Sequence, residues 1–500
     1  MKFSHRLVCL VLLLAVFTVL PAGAAEVNGT LAVDPARIAG ADELGRMLLY
    51  TPNPLEPGSS MSHWDISATP DLLMEPFASP TLPLGEVDLT LPHFRDLGWP
   101  QGSSVITIRV TDAAEEGFND PTVVAQAPNN PGGTTLGGQR LAALQWVAGV
   151  WAAELGSSIE INIEASFEEL DCGPNPEDGA VLAAAGSQFL FYDFPNAPRQ
   201  GTWYHGALAE ALAEEDLSTT EDGFPPETGE LIITFNSQID EGCLAPGYGY
   251  YYGLDGNTPP GLAPFSAVAL HEISHGLGFA NFVNDATGSP PVFTGIPPMP
   301  DIYSVFTFDK DDGLHWSEMT NTQRRASAVN TDRVVWDGSN VINAAPDFLD
   351  NAPSLTINSP SSIEGSYAAQ PAEFGPAIDL TGISGDLAVV DDGSGAPTLG
   401  CESLVNASAI AGKIAVVDRG ECFFTVKVKN AQDAGADAVI VVNNASNGLP
   451  PMGGEDATIT IPSAGISQAD GDLIKAALES RSIVIRRGGL RVTPAGTVSP

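Results

Sequence analysis

The sequence predicts an α+β protein, in which a mixed sheet with a motif-bearing helix is followed by a second, smaller α/β domain. Three observations predict it. From Ser157 to Phe167, Ile159, Ile161, Ile163, Ala165 and Phe167 alternate with Glu160, Asn162, Glu164 and Ser166, the period of a strand with one buried face. From Gly138 to Leu155 the apolar residues recur at helical spacing instead. Beyond about residue 370 the composition turns to short Val/Ile/Ala runs separated by glycine, after a Pro/Ser/Asn-rich stretch from Asn343 to Gln370 that places a boundary near residue 355.

A chain of 500 residues is long enough for two to four domains. With 43% hydrophobic and 17% charged residues, it is globular in composition, not disordered or fibrous. Lys and Arg number 21 against 62 Asp and Glu, a net charge of −41 that repels phosphate backbones and anionic lipid. Nucleic acid is therefore excluded as a natural partner, and the acidity itself is the ordinary device of a soluble, exported protein.

The elements follow in order. Lys2 and Arg6 precede an apolar run from Leu7 to Leu20 and then Pro21-Ala22-Gly23-Ala24-Ala25, so residues 1–25 are expected to be a cleaved secretory signal. The run falls short of the roughly 20 apolar residues that span a bilayer, and no later segment is longer, so no membrane span is expected. Past Cys9 the chain keeps Cys172, Cys243, Cys401 and Cys422. Four cysteines in an exported chain imply two disulfides, with three possible pairings. Cys172 with Cys243 and Cys401 with Cys422 keeps each bridge inside one domain. Val105 to Val110 and Leu231 to Phe235 are further expected strands.

The sharpest motif is His271-Glu272-Ile273-Ser274-His275, followed by Gly276-Leu277-Gly278-Phe279. Residues four apart share a helix face, so His271 and His275 can present nitrogens to one Zn²⁺ while Glu272 sits beside them to take a proton from water. Two histidines do not complete a catalytic zinc site. The third ligand must come from His63, His93, His205, His315 or a carboxylate such as Asp285 or Asp301, because Asn281 stands six residues after His275 and a neutral amide is a poor zinc ligand. An aspartate-rich loop, Asp309 to Gly313, shows no recognisable calcium register.

These residues resemble secreted bacterial metallopeptidases related to the leishmanolysin branch of the metzincins. There the third histidine lies far downstream and is followed, eleven residues on, by the methionine of a turn beneath the metal. In this chain the matching segment stands upstream: Met61-Ser62-His63-Trp64-Asp65, then Leu73-Met74-Glu75-Pro76, with Met74 eleven residues after His63. The blocks Asp88-Leu89-Thr90 and Asp96-Leu97-Gly98-Trp99 follow, and Ile106 to Arg140 is similar to the family's opening segment. The resemblance implies a circularly permuted zincin, with His63 as third ligand, Met74 as the turn methionine, and residues 491–500 close to Leu31–Arg37. His315 is the next candidate ligand; His93 and His205 are expected to be structural.

Residues from about 365 to 485 resemble a protease-associated domain through Cys401, Gly412 to Gly420, Cys422-Phe423-Phe424, Asn430-Ala431-Gln432, Ala438 to Asn444 and Ile461-Pro462-Ser463. Such a domain is non-catalytic. Asp418-Arg419 is expected to be a structural ion pair closing a turn. The whole chain is thus expected to comprise a signal (1–25), a zincin segment with third ligand and turn methionine (26–100), a zincin segment with the motif helix (101–355), a protease-associated domain (356–490) and a tail (491–500). The two resemblances together imply a secreted or periplasmic zinc endopeptidase acting on proteins or peptides. The alternative is an inactive zincin scaffold that binds proteins through its protease-associated domain.

Overall fold

The computed structural model describes residues 26–77, 82–173, 180–218, 228–245, 247–445, 448–450 and 452–487. The expected signal (1–25) and tail (491–500), and with the tail its expected closeness to Leu31–Arg37, lie outside the described residues. The chain forms two compact units with a mixed α/β fold: one of residues up to Ala32, Ser354–Asn444 and from Met452, the other of Val33–Pro353 and Ala445–Pro451. The expected segment 26–100 is therefore divided at Ala32. The physical reason is strand pairing, because Asn28–Leu31 runs antiparallel to Ile383–Asp386. No helix among the described residues is long and apolar enough to cross a membrane.

The larger unit is built on a four-stranded sheet in the order Ile106–Val110, Ile161–Glu168, Leu231–Asn236 and Ala183–Ser187. The first three strands are parallel and the last is antiparallel to its neighbour. Four helices matter for the site: α1 (Thr90–Leu97), α2 (Leu136–Glu154), α3 (Gly206–Ala213) and α4 (Phe265–Leu277). Thr135 caps α2, its hydroxyl accepting from Gly138 N. The helix then buries Ala143, Leu144, Val147 and Trp151, in one core with Ile161, Ile163 and Ala165 of the alternating strand. The expected helix and strand are both present, shifted by a few residues at their ends.

A small second sheet decides where the N-terminal part of this unit goes. Met47–Leu48 pairs antiparallel with Val335–Trp336, which in turn pairs with Thr307–Phe308. The following loop stays close through backbone bonds from Tyr50 N to His63 O, Met61 N to Tyr50 O and Trp64 N to Met74 O, all 2.8–2.9 Å. Trp64 and Met74 are fully buried. Asp88 ties the loop to α1, accepting from Leu73 N on one oxygen and from Thr90 N on the other. Trp99 Nε1 then donates to Leu277 O at 3.0 Å, at the end of α4.

The smaller unit centres on parallel strands Ile383–Val389, Ile414–Asp418, Ala438–Val442 and Ser463–Ile466. Every residue from Ala438 to Val442 is buried, as a central strand covered on both faces requires. Val439 and Val441 share a core with Val428 and Ala431 of the helix Phe424–Asp433. The opposite face meets the helix Gln468–Arg487 at Gly471, where a Cβ would collide with Val442 Cγ1. Disulfides join Cys172 to Cys243 in the larger unit and Cys401 to Cys422 in the smaller. The expected Asp418–Arg419 pair is replaced by other partners: Asp418 bridges Lys475 at 2.7 Å, and Arg419 donates to Asn443 Oδ1. Asp418 is the last residue of its strand and Arg419 lies just beyond it, and each finds its partner on a different element, Lys475 on the helix Gln468–Arg487 and Asn443 just after the strand Ala438–Val442.

Candidate metal centre

α4 begins after Pro264 and stops at Gly278, whose φ of +139° ends the helix while its N–H returns to Ser274 O and His275 O. The apolar side, with Phe265, Ala269, Leu270, Ile273 and Leu277, packs into the core. That leaves His271 and His275 on one face, one turn apart. The 47–74 loop carries His63 to the same place.

Three imidazoles converge there. His63 Nε2 and His275 Nε2 each lie 3.1 Å from His271 Nε2, and the three donor atoms fall within 4.8 Å of one another. Each Nδ1 faces a backbone carbonyl: Ser59 O for His63 at 2.7 Å, Leu73 O for His271 at 2.6 Å and Phe279 O for His275 at 2.7 Å. A carbonyl only accepts, so each Nδ1 carries the proton and each Nε2 presents a lone pair. Three lone pairs at such distances repel, and a cation among them removes the repulsion. Carbonyl acceptors on the far nitrogens are also the usual outer support of metal-binding histidines.

The donor set fits Zn²⁺. Tetrahedral zinc at its usual distance from imidazole would hold nitrogens about 3.3 Å apart, near the separations seen. Burial, chiefly, lowers all three histidines below the ordinary value, His271 to about 4 and His275 to about 3, with neighbouring histidines adding to the effect on His63 and His275. The neutral form needed by a metal is thus the resting form. Glu272 is buried beside them, and burial pushes its carboxyl up to about 8.

Among the described residues this is the one cluster of three or more His, Cys, Asp or Glu donors within such reach. The other candidate ligands do not join this cluster. His315 Nε2 donates to Asp337 Oδ2 at 3.0 Å, and the ring faces Glu318. Asp301 caps a helical turn, accepting from Ser304 N and Phe282 N. Asp285 is hydrogen-bonded to Asn281 and held up to about 7 by burial. His205 bonds Ala280 O at 3.0 Å, and His93 lies between Phe279 and Trp336 with ring centroids 4.1 and 4.0 Å away. In the Asp309 loop, Asp309 accepts from Asp311 N, Asp312 N and Asn330, while Asp311 pairs with Arg333. Sequence reasoning missed the three carbonyl acceptors, since a backbone oxygen has no signature in residue type. Met74 is buried in the core, and the carbonyl next to it, that of Leu73, receives His271.

Fold and site together define a mixed α/β protein with a buried three-histidine cluster in its larger unit. In the smaller unit, residues 383–474 match the PA domain family, a match that lies outside the segments carrying the histidines. The receptor homology region, transmembrane domain- and RING domain-containing protein 1 of Arabidopsis thaliana is 35% identical over 122 residues, 23% of this chain and 38% of that protein. The vacuolar-sorting receptor 1 of Pisum sativum is 32% identical over 150 residues, 27% of this chain and 23% of that protein. Among solved structures, a zinc aminopeptidase from Bacillus subtilis, BSAP, matches with 28% identity, covering 22% of this chain and 26% of its own, at a TM-score of 0.19. The chain thus spans well under half the length of each of these relatives.

Proposed function

We propose that the protein is a secreted or periplasmic zinc endopeptidase of zincin type, permuted in chain order, that hydrolyses peptide bonds of protein substrates. The observation that carries this reading is the convergence of His63, His271 and His275 through Nε2, with Glu272 next to His271 on the same helix. In this reading the three histidines hold the metal, residues 26–100 supply the third ligand, and the PA domain is a non-catalytic companion. Bound Zn²⁺ would act as a Lewis acid toward the scissile carbonyl and would make water acidic enough to be deprotonated at neutral pH. Glu272, raised to about 8 by burial alone, is ionised at neutral pH only beside the bound cation, and as the carboxylate it takes that proton and returns it to the leaving amine. The carbonyls of Ser59, Leu73 and Phe279 keep the three rings oriented throughout.

The test is hydrolysis of unfolded casein by the purified chain beside Glu272→Ala at matched zinc content. Activity in the parent protein alone supports the reading. Equal activity in both removes Glu272 as the base, and inactivity in both, with zinc bound, favours a binding protein on an inactive scaffold.

A further inference from the structure

We propose that the Cys401–Cys422 disulfide is a thiol–disulfide exchange site for external dithiols, poised by the Lys427 ammonium beside Cys401. The inference is independent of the metal centre. Lys427, on the helix Phe424–Asp433, has no exposed surface. Its Nζ donates to Leu399 O at 2.8 Å and lies 3.6 Å from Cys401 Sγ. No carboxylate among the described residues forms an ion pair with it. The acidic groups that face it at longer range are Asp418, Asp392 and Glu421. Two of these are already engaged, Asp418 by Lys475 at 2.7 Å and Asp392 by the backbone N–H of Cys401 at 2.9 Å.

A buried ammonium with one carbonyl acceptor is poorly compensated. Opening the disulfide would supply the missing counter-ion, because a Cys401 thiolate would sit within charge-assisted hydrogen-bonding reach of Nζ. The reduced state therefore gains an interaction that the oxidised state lacks, and this makes the bridge more oxidising. In the exchange, a thiolate of the dithiol attacks Cys422 Sγ, forming a mixed disulfide and releasing Cys401 as the thiolate. The second thiol of the reagent then displaces Cys422 and closes the reagent's own disulfide, so two electrons pass from dithiol to protein. Stabilising the Cys401 leaving group also speeds the first step. Both cysteines are partly exposed, so a small dithiol can reach them. The Cys172–Cys243 bridge offers a contrast within the same chain, since Cys172 Sγ accepts from the neutral Asn236 amide at 3.6 Å.

The test equilibrates the full chain with reduced and oxidised dithiothreitol, alkylates the free thiols and reads each cysteine peptide by mass spectrometry. Cys401–Cys422 should open first, with an equilibrium constant at least about tenfold above that of Cys172–Cys243. Lys427→Met should lower the constant about tenfold, equivalent to roughly 30 mV. An unchanged constant in Lys427→Met overturns the proposal and leaves Lys427 a simple cap on Leu399. Should that variant fail to fold, Cys422→Ser allows the Cys401 thiol to be titrated through the pH dependence of its iodoacetamide alkylation. A midpoint at least about one unit below the ordinary 8.5 supports the proposal, and a midpoint at or above that value overturns it.

Discussion

His275 Nδ1 donates to the carbonyl oxygen of Phe279 at 2.7 Å, across the glycine that ends their helix. One residue thus closes the helix and another, just beyond it, sets which nitrogen of a candidate ligand bears a proton. Gly278→Ala should disturb both. The position has φ +139°, and a Cβ would fall 2.9 Å from Leu97 Cδ1. A cost of about 1–3 kcal/mol is expected from the backbone alone, read as a lower denaturant midpoint. Faster zinc loss to a chelator should accompany it. A variant as stable as the parent would show that the helix end relaxes without strain.

His63→Ala should leave the helical content unchanged and release zinc far more readily. Removing an outer-shell partner of a metal ligand costs about 10–100-fold in affinity, so losing a ligand should cost at least about 100-fold. Chelator competition measures it. Unchanged retention would move the third ligand elsewhere.

Arg140 of α2 joins Asp240 at 2.7 Å, donates to Tyr252 Oη at 3.0 Å and to Gly117 O at 2.9 Å, and lies over the Phe167 ring. Arg140→Ala removes the counter-ion of Asp240, leaving it only the neutral donors Tyr250 N and Tyr252 Oη, and should destabilise the larger unit by about 3 kcal/mol. Arg140→Ala with Asp240→Ala should lose less than the two single effects combined, a coupling that denaturant melts of the four proteins would measure.

Glu210 on α3 is buried, and burial together with the nearby Glu230 raises its carboxyl to about 7. The folded state therefore holds this proton more tightly than the unfolded chain does. Its contribution is fully present below about pH 4.5, the unfolded value, and is lost as pH rises through about 7. Glu210→Gln should flatten that part of the stability profile. An unchanged slope between pH 5 and 7.5 would assign the decline to other groups.

Much of this protein is legible without coordinates. The alternation at Ile159–Phe167, the helical spacing at Gly138–Leu155 and the continuous apolar run at Ala438–Val442 are local signals, and local periodicity is what a sequence records directly. The His271–His275 spacing belongs to the same kind, because helix geometry alone puts residues four apart on one face.

The third histidine is a different matter. His63 stands 208 residues from His271; the resemblance, through the spacing to Met74, named it as a candidate, but no local pattern says where a loop ends up. Its place follows from Met47–Leu48 pairing with Val335–Trp336, and from the bonds of Tyr50, Trp64 and Leu73 that hold the loop against α1 and α4. The same holds for Lys427 and Cys401, brought together only when the helix packs against the loop that carries Cys401, and for Asp418, which turns to Lys475 and away from its neighbour Arg419. By itself the sequence determined which segments bury which face, and which residue types were available for chemistry. Tertiary structure alone decided which of them meet, because meeting depends on long-range strand pairing and on backbone carbonyls that every residue possesses.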